Sequence, residues 1–167
     1  MAGWCCVADL VTHGAAAVLL KGGMGWRYTA VFVAGTLMPD VFSRVPAIAL
    51  GWVHVHLIPL PVQAMTLWQP LHQPLGMLLM AYLLCHFFEA RHRESIFWNL
   101  LGGMAFHLGL DLLQDHHGVG YQLAFPFSEN VWELGLIGSE ATVPIAVPLA
   151  LIAFLVVRRH QAGGSSA

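Results

Sequence analysis

Charge is what this sequence has least of. Of its 167 residues, seven are Lys or Arg and nine are Asp or Glu, 10% in all, against a hydrophobic share of 57%. Soluble domains carry about 25% charged residues, so that class is excluded and an integral membrane protein is expected. The mean hydropathy of +0.68 points the same way. A net charge of −2 leaves no basic patch for nucleic acid. Cysteine is also scarce. Cys5 and Cys6 are adjacent and Cys85 lies in an apolar run, which gives neither a disulfide framework nor a Cys-x-x-Cys zinc motif. The first apolar run lacks a basic start and is broken by Asp9 and His13, against a cleaved leader.

Histidine, by contrast, is plentiful: there are ten. Imidazole is the commonest protein metal ligand. The densest stretch is 106–128, FHLGLDLLQDHHGVGYQLAFPFS, with His107, Asp111, Asp115, His116 and His117. Residues four apart share a helix face, so His107, Asp111 and Asp115 are predicted to form one stripe. An imidazole and a carboxylate at that spacing converge on a divalent cation without distorting the backbone. Taken alone, the His107–Asp111 pair reads equally well as hydrogen-bonded packing; donors elsewhere have to decide.

A spanning helix takes about 20 mostly apolar residues. Apolar runs predict an all-α polytopic bundle of about five spanning helices, near 4–20, 28–40, 74–90, 95–113 and 140–157. Pro39 and Asp40 are expected to stop the second span. Residues 45–62, with Pro46, Pro59 and Pro61, read as a re-entrant or interfacial segment. Residues 1–160 form one membrane domain in this reading, and the Gly/Ser-rich 161–167 a disordered tail. Gly102, Gly103 and Gly109 permit close helix contact.

With five crossings, Lys21/Arg27, Arg91/Arg93 and Arg158/Arg159 fall on one side, which basic residues mark as the cytoplasm. The C-terminus then lies inside, and Arg44 alone lies outside. Asp40, His72, His107, Asp111 and Asp115 meet at the outer face, with His13 deeper. His54/His56 and the His86, Glu89, His92 group read better as interfacial or solvated positions than as ligands.

The order of these donors resembles a family of bacterial inner-membrane metal-dependent hydrolases distantly related to zinc-dependent phospholipase C. The matching positions are His13 in Thr-His-Gly, Asp40 in Gly-Thr-Leu-Met-Pro-Asp, and His72 in Leu-His-Gln-Pro-Leu-Gly-Met. His107 and Asp111 follow in Phe-His-Leu-Gly-Leu-Asp, and the closing loop runs to Phe-Pro-Phe-Ser. The resemblance covers residues 10 to about 130. Val41 to Ser43 supply no second acid after Pro-Asp; Gln73 and Met77 stand where the family has a basic residue and a second histidine. Asp115, His116 and His117 are candidate replacements.

The expectation is therefore a zinc-dependent hydrolase, with manganese or iron compatible with the same donors. Its metal ligands are His107, Asp111, Asp40, His72 and His13, and its general base is Asp115 or His116. A shallow site in the inner membrane suits a lipid or lipid-linked phosphodiester, with the bilayer itself as partner, no nucleic acid, and protein partners left open. Two other readings stand beside it. One is a catalytically inactive scaffold or assembly protein of the same fold. The other is a bis-histidine haem electron carrier using His86 and His107.

Overall fold

The structure, a computed structural model, describes residues 2–115, 120–138 and 142–164. It is mainly helical. Five substantial helices, α1 (Ala2–Met24), α2 (Thr29–His56), α4 (Pro74–Cys85), α5 (Arg93–Leu113) and α6 (Thr142–Gly164), make up most of the described residues. A single helical turn, α3 (Val62–Thr66), and a 3-10 turn (Gln69–His72) lie between α2 and α4. Three stretches are long and apolar enough to cross a membrane: Thr29–His56, Ala90–Leu113 and Val143–Gly163. Leu10–Met24 and Pro74–Cys85 are apolar but shorter. At 1.5 Å per residue, the 12 residues of α4 reach only about 18 Å.

Helices α2 and α5 run parallel at the centre. At one end the Tyr28 hydroxyl meets His92 Nδ1 at 3.2 Å. At the other, the Arg44 guanidinium lies 3.8 Å from Asp111. Two glycines permit this contact. A Cβ on Gly35 would collide with the backbone of Leu100, and one on Gly103 with the carbonyl of Phe32. Gly109, by contrast, has nothing within 4 Å of its Cβ position, so it plays no part in helix contact. Helix α4 runs back along α5, and Met77, Met80, Ala81 and Cys85 share a buried cluster with Ile96, Leu100, Met104 and Leu108. Met77 is thus a packing residue.

Helix α1 runs antiparallel to α2, with Gly14 against Leu37 and Lys21 over the Phe32 ring. Helix α6 packs along α1, and His160 stacks on Trp26 at 4.3 Å. The turns holding Lys21/Arg27 and Arg91/Arg93 and the end of α6 with Arg158/Arg159 therefore gather at one end of the bundle.

Three expectations need correction. The second helix does not stop at Pro39-Asp40; it continues through Pro39 and Pro46 to His56, so residues 45–56 are its extension. Each proline removes one N–H, so the carbonyls of Gly35 and Phe42 lose their helical donor, yet the helix keeps its course, with Pro39 buried on the face that packs against α5. Second, α5 ends at Leu113, and Gln114 is extended (φ −83°, ψ 151°), so Asp115 leaves the His107–Asp111 stripe. Third, α6 runs past Arg158-Arg159 to Gly164, so residues 161–164 are helical.

Candidate metal centre

Five polar side chains converge where α1, α2, α5 and the Gln69–His72 turn meet. His13, Asp40, His72 and the pair His107 and Asp111 come from four separate stretches of chain, and none of the five is more than 6% exposed. Ligand atoms of Asp40, His72, His107 and Asp111 all lie within 4.8 Å of one another. Burying two carboxylates and three imidazoles is costly unless they are paired or bind a cation.

Each is placed by a local device. The i, i+4 spacing on α5 sets His107 and Asp111 on one face, Nε2 3.2 Å from Oδ2. Asp40 sits one residue after Pro39 on the α2 face that meets α5. His72 ends a turn braced by Gly76, where any Cβ would overlap the Pro70 carbonyl. His13 Nε2 lies 3.0 Å from Asp111 Oδ1, and its ring centroid 4.5 Å from that of His107.

Asp111 Oδ2 is the busiest atom. His72 Nε2 is 2.9 Å away, and the Tyr121 hydroxyl donates to it at 2.7 Å. Tyr121 arrives from the loop 120–138, which is tied down at the end of α5. The N–H groups of Leu134 and Leu136 donate to the carbonyls of Leu112 and Leu113 at 2.8 and 2.9 Å. Those terminal carbonyls have no partner within the helix, so the same bonds that end α5 hold the loop over the site. Burial first, then the neighbouring Asp111 charge, pushes the Tyr121 hydroxyl above the ordinary tyrosine range, which keeps it a donor.

The tautomer of His72 follows from its second nitrogen. Ser43 Oγ donates its one proton to the Pro39 carbonyl at 2.6 Å, so it accepts from His72 Nδ1 at 3.0 Å. A neutral His72 then turns a bare Nε2 lone pair toward Asp111 Oδ2 at 2.9 Å and toward His107 Nε2 at 3.0 Å. Atoms this close need a donor between them, either an N–H on His107 Nε2, which a neutral ring can carry, or a cation that all three address. Imidazole with its far N–H given to an acceptor is how metal-binding histidines are oriented. Asp40 adds a second sign. Its Oδ1 is held by Arg44 Nε at 2.8 Å, whereas Oδ2 is buried with no hydrogen-bond partner among the described residues. The donors therefore fit a metal ion bound through oxygen and nitrogen.

The sequence-derived ligands His13, Asp40, His72, His107 and Asp111 are thus brought together. Asp115 pairs with Gly138 in a two-residue strand and is not one of the four converging residues; His116 and His117 lie outside the described residues. His54 caps the end of α2 by accepting from the Leu60 N–H. His86, at the end of α4 remote from His72, bonds the Tyr82 carbonyl, so it does not face His107 across a haem-sized gap. Sequence reasoning missed Arg44, Ser43 and Tyr121. Arg44 carried a usable signal, standing four residues after Asp40 on the same helix face. Comparison with known proteins adds no relative: no family model, curated protein or solved structure matches the chain.

Proposed function

We propose that this chain is a membrane-embedded hydrolase dependent on a divalent metal, with zinc the ion best suited to its donors. The observation that carries this reading is the convergence of Asp40, His72, His107 and Asp111 in a buried site, with Asp40 Oδ2 lacking a hydrogen-bond partner among the described residues. A cation held there supplies Lewis acidity and makes water nucleophilic at neutral pH. The protein's own groups do the rest. Ser43 orients His72, His13 and Tyr121 hold the Asp111 carboxylate, and Arg44 fixes Asp40.

The bundle spans a bacterial inner membrane five times, α1 and α4 included, with six of the seven basic residues on the cytoplasmic side. The C-terminus is cytoplasmic and the site lies toward the outer face, where its substrate is a lipid or lipid-linked phosphodiester. Hydrolysis of a chromogenic phosphodiester and of phosphatidylglycerol by zinc-loaded protein in detergent tests this. The expected result is turnover that is abolished by a chelator and by Asp111→Asn. Full zinc occupancy with no turnover on either substrate would favour the inactive scaffold.

A further inference from the structure

On the outer side of the α1–α2 seam, away from the metal cluster, lies an open groove of about 510 Å³. Its walls are Leu10 and Val18 of α1, Val33 and Val41 of α2, and Ala150 and Ala153 of α6. Carbon surface of this kind, on apolar helices of which α2 and α6 are of membrane length, favours an aliphatic occupant. Its axis has a direction. Because α1 and α2 are antiparallel, Leu10 stands level with Val41 and Val18 level with Val33. The groove therefore runs about 12 Å, eight residues of helix, from the level of the metal cluster toward the basic end of the bundle.

Arg44 links groove and cluster. It follows Val41 by three residues and Asp40 by four, so on α2 it adjoins both the groove face and the cluster face. Its guanidinium holds Asp40 and reaches the Tyr121 hydroxyl at 3.5 Å, and its side chain is 25% exposed, unlike the sealed ligands beneath it. It is also the only Lys or Arg of the chain away from the opposite end of the bundle. A tail-sized apolar groove that ends beside a partly exposed guanidinium, whose buried side faces Asp40 and Asp111, is complementary to an anionic amphiphile.

We infer that the α1–α2–α6 groove seats one acyl chain of an anionic phospholipid whose headgroup phosphate lies at Arg44, on the rim of the metal cluster. This deepens the hydrolase reading by naming the lipid class, and it rests on that reading for the headgroup's fate, though not for binding. A phospholipid in the outer leaflet has this polarity, with its phosphate at the level of the site and its chain extending toward the membrane centre.

Native mass spectrometry of the full chain, released from detergent with phosphatidylglycerol or phosphatidylcholine of identical chains, tests it. The expected result is one retained phosphatidylglycerol, favoured about tenfold over phosphatidylcholine. Ala150→Phe, which fills the groove from α6, removes retention of both lipids with zinc content unchanged. Gly14→Leu does the same from α1; a Cβ at Gly14 meets only Leu37 side-chain atoms, at 3.5 and 3.9 Å, so the backbone accepts it. Arg44→Gln keeps a lipid bound but levels the preference between headgroups. Undiminished lipid retention in a folded groove-filled variant, or equal retention of the two lipids by the wild type, overturns the inference. Lipid bound as expected in protein that never takes up zinc would instead overturn the metal reading and leave this one standing.

Discussion

Ser43→Ala offers a sharp test of the site, because it touches the metal cluster only through His72. Removing Oγ deletes the acceptor of the buried Nδ1–H, a bond of 3.0 Å, and leaves that donor with no partner. An unsatisfied buried donor costs about 1–3 kcal/mol. His72 escapes that cost by moving its proton to Nε2, but the nitrogen that faces Asp111 and His107 is then no longer a ligand. Either way the penalty falls on the metal-bound state, and at 1.4 kcal/mol per decade it weakens binding about 5- to 150-fold. That range agrees with losses of about 10- to 100-fold for outer partners of ligating histidines. Zinc affinity measured in detergent by competition with a chromogenic chelator reads it directly. Ser43 also bonds the Pro39 carbonyl at 2.6 Å, so thermal unfolding of metal-free protein is needed beside it to separate helix destabilisation from metal loss. Zinc affinity equal to wild type would refute the assignment of His72 as a ligand oriented through Nδ1.

Asp111→Ala strips a shared partner from His13, His72, His107 and Tyr121; breaking a buried ionic network costs about 3–5 kcal/mol, and the unfolding temperature in detergent should fall accordingly. Gly103→Ala drives a methyl group into the Phe32 backbone and should cost about 3 kcal/mol or more through overpacking, whereas Gly109→Ala, with open space, should be tolerated in the same assay. Tyr121 has a folded-state pKa raised above the unfolded value of about 10. Its contribution to stability is therefore complete below pH 10 and declines as the pH rises beyond it. Alkaline unfolding should accordingly begin above about pH 10 in the wild type and be less steep in Tyr121→Phe.

The parts of this site written as local spacing were legible in the sequence. His107 and Asp111 stand four apart in an apolar run, Asp40 is a lone acid beside a proline, and His72 lies in a proline-bounded loop, so each is conspicuous as a polar residue where polarity is expensive. Helix content followed from apolar runs of membrane length. The rest depended on context. Pro39 and Pro46 were given their ordinary helix-breaking weight, yet α2 continues through both, each removing a single helical N–H. Asp115 was assigned to the His107–Asp111 stripe on the assumption of an unbroken helix, whereas the loop hydrogen bonds at Leu112 and Leu113 end α5 before it. Tyr121 lies ten residues beyond Asp111, and only the folded loop brings the two together. Arg44 looked like a stray charge against the orientation rule because its partner, Asp40, had been placed at the end of a helix rather than inside one.

The central claim is that Asp40, His72, His107 and Asp111 together hold a metal ion. Elemental analysis of detergent-purified protein after zinc loading and removal of excess, wild type beside His107→Ala, tests it most directly. The account predicts near-stoichiometric metal in the wild type and its loss in the variant. No bound metal in the wild type, or equal metal in both proteins, would contradict it and leave the buried histidines as a hydrogen-bonded core.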